Sequence, residues 1–247
     1  MKPVAIFRYA RTEGPGHFAT FLAEHGVEFT LVRLDEGEPV PPSVDEFCGL
    51  GFMGGPMSAN DEFPWTQPVL ALMREAVDKG VPVIGHCLGG QMLSRALGGQ
   101  VTRSPIKEIG WVPVNVEATP LAREWFGDVR GFDTFQWHED TFSIPPGGEL
   151  ILTGSHVRNQ AYVVDGRHLG MQCHVEVTAE MIETWCRIGI TDIDQNYGKS
   201  PAVQDALTIR SQMPKNLATL TSTAFRLYGR WIRSLKCAEL EDQMISK

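Results

Sequence analysis

Short apolar segments alternate with amphipathic segments along the first hundred residues, and this alternation constrains the fold more than any other feature of the chain. Four segments read as buried strands and three segments between them have helical spacing: residues 3–7, 29–34, 48–53 and 81–84 for the strands, and residues 17–25, 67–78 and 89–97 for the helices. Strands and helices that alternate in this way form right-handed crossovers on a parallel sheet. We therefore predict an α/β fold with a mostly parallel central sheet flanked by helices.

The second half of the chain changes character twice. Strand signals dominate residues 108–174, and the pattern from residue 178 onward is helical. Residues 190–201 are polar and read as a linker before a helical segment over residues 202–235. We predict a domain over residues 1–190 and a C-terminal helical extension over residues 191–247, packed together as a single structural unit.

Charge and cysteine content exclude several classes of protein. The net charge is −8, and Lys and Arg do not cluster as a nucleic-acid or anionic membrane surface requires, so we expect neither partner. The apolar runs are too short for a signal peptide or a membrane span. Five cysteines at irregular spacing do not resemble a disulfide framework, which favours a reducing, cytoplasmic location.

The sharpest local motif surrounds Cys87. The run Gly85-His86-Cys87-Leu88-Gly89 has the form G-x-C-x-G and lies between a predicted strand and a predicted helix. Glycines permit the strained turn that holds a nucleophile above the strand ends, and the N-terminus of the following helix favours a thiolate. We interpret Cys87 as a nucleophile rather than a buried structural cysteine.

A thiolate nucleophile needs a base that a third group orients. His174 and Glu176 are two residues apart at the end of a predicted strand, so their side chains point to the same side of the chain. We predict that His174 is the base and Glu176 its orienting carboxylate. His138, beside Glu139 and Asp140, is the rival candidate for the base.

A glycine-rich loop follows an earlier predicted strand. Gly54-Gly55-Pro56 allows the backbone to approach a ligand closely, and backbone N–H groups aimed at an oxyanion accelerate acyl transfer. A plain tight turn explains the same residues equally well. The loop alone therefore decides nothing.

Taken together and in this order, the motifs resemble the class I glutamine amidotransferase family, including its GMP-synthase-like members. The resemblance spans roughly residues 4–176, so residues 1–190 would be the glutamine amidotransferase domain. It implies a flavodoxin-like three-layer sandwich, in which Cys87 is acylated, His174 is the base and Glu176 orients it. It also implies that the amides of Gly55 and Leu88 form the oxyanion hole.

The resemblance extends to the substrate pocket. Gln91, four residues after the nucleophile, matches a glutamine that contacts the substrate, and the segment containing Trp137 and His138 matches the one that holds the α-substituents. Two residues depart from the family pattern. Val175 replaces the proline of the family's His-Pro-Glu motif, and Met57 stands where many members have Gly or Glu.

Other ligand motifs fail on their spacing. The pairs His86-Cys87 and Cys173-His174 cannot converge on one metal ion, because adjacent residues of a strand point to opposite faces. The run Gly49-Leu50-Gly51-Phe52-Met53-Gly54 fits G-x-G-x-x-G, but no helix pattern opens at its last glycine. We therefore expect no metal and no cofactor.

The leading hypothesis is hydrolysis of glutamine through a thioester on Cys87, with ammonia passed to a synthetase or acceptor protein. Any ATP-dependent step would belong to that partner, because the chain has no nucleotide-binding loop. A γ-glutamyl peptidase or hydrolase acting on γ-glutamyl compounds is the alternative within the same fold. A non-catalytic partner subunit and a cysteine hydrolase with a different base also stay open.

Overall fold

The computed structural model describes residues 2–235. Its strands, in chain order, are β1 (Val4–Arg8), β2 (Phe29–Arg33), β3 (Gly49–Phe52), β4 (Val83–His86), β5 (Val101–Val116), β6 (Gly131–Phe142), β7 (Gly148–Gly154), β8 (Asn159–Val164), β9 (His168–Met171) and β10 (Ala202–Val203). Its α-helices are α1 (Gly16–Glu24), α2 (Thr66–Asp78), α3 (Leu88–Ala96), α4 (Pro120–Phe126), α5 (Ala179–Ile188), α6 (Ile190–Asn196) and α7 (Ala206–Ile232).

The strands form a sheet in the order β10-β5-β7-β8-β9-β4-β3-β1-β2, with β6 paired to β5. The half that runs from β2 through β1, β3 and β4 to β9 is parallel, and the pairings among β9, β8, β7, β5 and β6 are antiparallel. The predicted α/β fold, with a large, mostly parallel sheet between helices, is confirmed. The carboxyl ends of the parallel strands, where ligands bind in open α/β sheets, lie along one rim.

Helices cover both faces of the sheet. Alternate residues of β1 belong to two different hydrophobic cores, with Ile6 in one and Phe7 in the other, as the alternation of a strand requires. Phe18 of α1 and Leu227 of α7 pack in the first core, whereas Met73 of α2 packs in the second. The chain is therefore a three-layer sandwich.

The predicted linker over residues 190–201 is wrong. Residues Ile190–Asn196 form helix α6, and β10 pairs in parallel with β5 before α7 begins behind Asp205, whose side chain accepts a hydrogen bond from the N–H of Thr208. The sequence of this segment is polar because Ile193 is the one residue of α6 that is buried, so a single apolar side chain is enough to anchor the helix. The boundary at residue 190 stays a prediction, and residues 236–247 of the predicted extension, with Cys237, lie outside the described residues.

Two further observations concern the predicted cellular environment. No helix between residues 2 and 235 combines the length and the apolar character that a bilayer crossing requires. Cys87, Cys173 and Cys186 are buried and form no disulfide bond.

Candidate active site

Cys87 occupies a strained turn between β4 and α3. Its backbone has φ 47° and ψ −106°, a conformation that costs a non-glycine residue about 1–3 kcal/mol. Neighbouring glycines make the turn sterically feasible: a Cβ on Gly85 would lie 2.5 Å from the carbonyl carbon of Gly89. A Cβ on Gly89 would lie 2.3 Å from the carbonyl oxygen of Phe52. The predicted strand–cysteine–helix turn is therefore present, and its geometry is that of a nucleophile elbow.

His174 and Glu176 follow β9, the strand that pairs directly with β4. Nδ1 of His174 lies 2.7 Å from Oε1 of Glu176, and both side chains are buried. The start of α1 holds this segment, because the N–H of His17 donates to the carbonyl oxygen of Glu176 at 2.8 Å. Gly16 permits that approach, since a Cβ there would lie 2.1 Å from the same oxygen.

The imidazole of His174 interacts with both Glu176 and Cys87. Burial alone would lower the pKa of His174, but the Glu176 carboxylate and the Cys87 sulfur outweigh it and hold this pKa well above its ordinary value. Burial raises the pKa of Glu176, yet His174 and His86 more than compensate and the net shift is downward. The arrangement therefore favours a charged imidazole between a carboxylate and a sulfur, as a cysteine nucleophile needs.

Gly55 and Leu88 lie side by side next to Cys87. A Cβ on Gly55 would lie 2.7 Å from Cδ2 of Leu88, and Gly55 lines the cavity above the sulfur. Leu88 is the first residue of α3, where helical N–H groups have no partner within the helix. Within residues 2–235, neither amide donates a hydrogen bond to an acceptor of the chain.

A cavity of about 440 Å³ brings most of the predicted site residues together. Its lining includes Cys87, His174, Gly55, Gln91, Trp137 and His138, whereas Glu176 and Leu88 support it from outside the lining. The side-chain amide of Gln91 donates to the carbonyl oxygen of Asp140 at 3.1 Å, and the indole of Trp137 donates to Asp192 at 3.1 Å. The substrate contacts predicted for these residues stay predictions.

His138 is placed poorly to act as the base. Its Nε2 lies 2.8 Å from Oε2 of Glu108, and its Nδ1 lies 2.9 Å from the carbonyl oxygen of Asp140. Both ring nitrogens of His138 are therefore engaged within the protein, whereas the contact of His174 with Glu176 uses only its Nδ1. The geometry favours His174 over its rival.

Several residues of the site carry no motif and were not predicted. The side-chain amide of Gln172 donates to the Cys87 sulfur at 3.7 Å, and its position two residues before His174 on an extended segment is the signal that points to it. Glu13 lines the cavity, and burial raises its pKa to about 7 despite the opposing effect of His174. A single carboxylate in the loop after β1 gives no sequence signal. Among the described residues, no cluster of His, Cys, Asp and Glu has the spacing of a metal site.

A strained cysteine turn beside a carboxylate-bound histidine, at one rim of a mostly parallel sheet, has the geometry of a cysteine-nucleophile site in an α/β protein. Residues 18–184 match the model of the family described as glutamine amidotransferase class-I. The chain belongs to the class I glutamine amidotransferase family, and it is an enzyme of that family.

Three proteins that are similar to this chain carry different functional names. The glutamine amidotransferase-like protein YfeJ of Salmonella typhimurium is 30% identical, over 69% of this chain and 74% of its own length. A glutamine-hydrolysing GMP synthase of Aeropyrum pernix is 30% identical, over 69% of this chain and 34% of its own length. Gamma-glutamyl peptidase 4 of Arabidopsis thaliana is 23% identical, over 70% of this chain and 72% of its own length.

A solved structure extends the similarity through the C-terminal part of the chain. The crystal structure of a glutamine amido transferase from Methylobacillus flagellatus superposes with a TM-score of 0.93 at 46% identity. The match covers 96% of this chain and 96% of that one, whereas the family model ends at residue 184. Helix α7 is therefore within the fold that the two proteins share.

Proposed function

We propose that the protein hydrolyses the side-chain amide of glutamine through a thioester on Cys87 and releases ammonia. The observation that carries the proposal is the position of His174, which lines the same cavity as Cys87 while its Nδ1 lies 2.7 Å from Glu176. Because Nδ1 is held by Glu176, Nε2 is the nitrogen that exchanges a proton with the reacting groups.

In the acylation step, the Cys87 sulfur bonds to the amide carbon and the carbonyl oxygen becomes an oxyanion. The free amides of Gly55 and Leu88 are the donors that would stabilise it, and each such donor is worth roughly 10²–10³ in rate. His174 then gives a proton to the leaving nitrogen, and the carbon–nitrogen bond breaks. Water, activated by the same imidazole, hydrolyses the thioester and releases glutamate.

The ammonia would pass to an acceptor. The similarity to the glutamine-hydrolysing GMP synthase of A. pernix supports this, because the name of that protein joins glutamine hydrolysis to a synthetase activity. We therefore propose a synthetase or another ammonia acceptor as the partner. A cytoplasmic location agrees with three buried cysteines that form no disulfide.

Hydrolysis of γ-glutamyl peptides is the second candidate function. The similarity to a γ-glutamyl peptidase favours it, and the cavity of about 440 Å³ lies within the roughly 300–1,000 Å³ of sites that hold whole small molecules. The acyl-enzyme is the same in both reactions, because only the leaving amine differs.

The test is to mix the protein with glutamine or with a panel of γ-glutamyl dipeptides and to look for a γ-glutamyl adduct by mass spectrometry. We expect an adduct on Cys87 and turnover of glutamine, with loss of both in Cys87→Ala. Cys186→Ala is the matched control, since Cys186 is buried but lies outside the cavity, and it should retain both. Turnover of dipeptides alone would favour the peptidase, and no adduct with any substrate would contradict both functions.

A further inference from the structure

Glu13 lies in the candidate active site although it belongs to no recognised motif. It lines the same cavity as Cys87 and His174. The loop that carries it is fixed at two points: the N–H of Glu13 donates to the carbonyl oxygen of Ala10 at 3.0 Å, and the indole of Trp185 donates to that of Thr12 at 2.7 Å. The position of the carboxylate is therefore set by the fold.

The carboxylate of Glu13 lies against the imidazole of His174. Gly54 marks the point where the two approach: a Cβ on Gly54 would lie 2.2 Å from Oε2 of Glu13 and 2.8 Å from Cε1 of His174. Any side chain at position 54 would displace one of them. Glu176 binds the same ring at Nδ1 from the buried side, whereas Glu13 approaches it from the cavity.

Glu13 has no partner of its own, unlike the other acidic residues of the cavity. Glu139 pairs with Arg103, Asp192 pairs with Lys107, and Asp140 accepts a hydrogen bond from Ser58. Within residues 2–235 the carboxylate of Glu13 accepts no hydrogen bond, and its cationic neighbour is the imidazole of His174, whose Nδ1 is already held by Glu176. An ionised carboxylate accepts hydrogen bonds only, so Glu13 can take a donor from whatever fills the cavity, first water and then a bound substrate.

We propose that Glu13 is a further catalytic residue, which accepts a hydrogen bond from the nitrogen that leaves the substrate and thereby selects amides over esters. The inference rests on the proposed function. The leaving nitrogen takes its proton from His174, so it must lie next to that ring, where Glu13 also lies. The resemblance predicts that the segment of Trp137 and His138, which also lines the cavity, holds the α-substituents at the opposite end of the substrate.

The step conserves atoms and charge without any change at Glu13. The Cys87 sulfur bonds to the carbonyl carbon, the carbon–nitrogen bond breaks, and the proton of His174 passes to the nitrogen. Throughout, an N–H of that nitrogen donates to the ionised carboxylate. The contact orients the nitrogen toward Nε2 of His174 and favours the positive charge that the nitrogen acquires on protonation.

The experiment compares glutamine with glutamate γ-methyl ester, whose leaving oxygen carries no N–H. Values of kcat/KM are measured at pH 8, above the pKa of about 7 of Glu13, for wild type, Glu13→Gln and Glu13→Ala. We expect both variants to lose about 10–100-fold on glutamine and no more than about 3-fold on the ester. Glu24→Gln, which removes an exposed carboxylate of α1, should leave both values unchanged.

Equal losses on amide and ester, or no loss on either, would overturn the role of Glu13. A second readout needs no turnover: the rate of Cys87 alkylation by neutral iodoacetamide is compared with that by anionic iodoacetate. Loss of the Glu13 charge should raise the ratio of the iodoacetate rate to the iodoacetamide rate several-fold. An unchanged ratio would show that the Glu13 carboxylate does not lie near the sulfur. Wild-type protein that is alkylated but hydrolyses no γ-glutamyl compound would instead contradict the proposed function.

Discussion

The hydroxyl of Tyr228 lies 3.2 Å from Nε2 of His86, and that nitrogen lies 4.0 Å from Oε2 of Glu176. All of these side chains are buried, and burial lowers the pKa of His86, although Glu176 opposes this shift. Tyr228 belongs to α7, beyond residue 184 where the family model ends. Helix α7, the last helix within residues 2–235, therefore contacts the residues that support the candidate triad from behind.

This contact makes Tyr228→Phe an informative variant. The ring and its packing stay, but Nε2 of the buried His86 loses its partner, which costs about 1–2 kcal/mol of the free energy of unfolding. We expect a decrease in kcat/KM for glutamine of roughly 2–10-fold, because Glu176 loses part of its support. Urea denaturation and steady-state kinetics check the two effects, and wild-type values for both would show that the contact contributes nothing.

Glu176→Gln tests the carboxylate of the candidate triad directly. The substitution keeps the size of the side chain but removes the charge that holds the pKa of His174 above its ordinary value. By analogy with other catalytic triads, we expect kcat/KM for glutamine to fall by roughly 10²–10⁴-fold while the protein stays folded. Kinetics together with circular dichroism provide the measurement. Activity within tenfold of wild type would show that His174 needs no carboxylate.

The sequence predicts the parallel half of the fold and the triad because both depend on local patterns. Apolar runs and glycines report the strands and the turn at Cys87, and the spacing of His174 and Glu176 places their side chains on one side of the chain. The resemblance to the class I glutamine amidotransferase family then predicts that these motifs lie together at one rim of the sheet. The structure places them as expected, with Cys87 after β4 and His174 after the neighbouring β9.

The sequence alone does not predict which residues reach the site through tertiary contacts. Glu13 enters the cavity only because the loop after β1 is held against α5, and Tyr228 reaches His86 only because α7 packs on the same face as α1. Helix α6 has the composition of a linker because most of its residues are exposed. Its tertiary contacts depend on the buried Ile193 and on Asp192, which pairs with Lys107 at 2.5 Å.

Gly85→Ala tests the packing that makes the turn at Cys87 possible. The added Cβ would lie 2.5 Å from backbone atoms of Gly89, which cannot move without shifting α3. We expect a loss of several kcal/mol in the free energy of unfolding, or insoluble protein, by the mechanism of overpacking. Gly229→Ala is the matched control. Gly229 lies inside α7, and its added Cβ would lie 3.8 Å from Phe21 of α1. Replacing a helical glycine there should stabilise the protein by about 0.5–1 kcal/mol. Thermal denaturation of both variants checks the contrast, and equal shifts would contradict it.

Glu13 should also leave a signature in the pH dependence of stability. Burial raises the pKa of Glu13 from 4.5 to about 7, so between these values the folded protein keeps a proton that the unfolded chain has lost. The stability that this proton provides is complete below pH 4.5 and disappears as the pH rises through about 7.

Glu13→Gln removes this dependence, because glutamine is neutral at every pH. Relative to wild type, the variant should therefore gain stability as the pH rises from 4.5 to 8, by on the order of 2 kcal/mol. Urea denaturation at a series of pH values measures the free energy of unfolding of both proteins. The contributions of the other titrating groups are the same in both and cancel in the difference. Parallel curves for the two proteins would mean that the Glu13 carboxylate titrates normally, as a solvated side chain would.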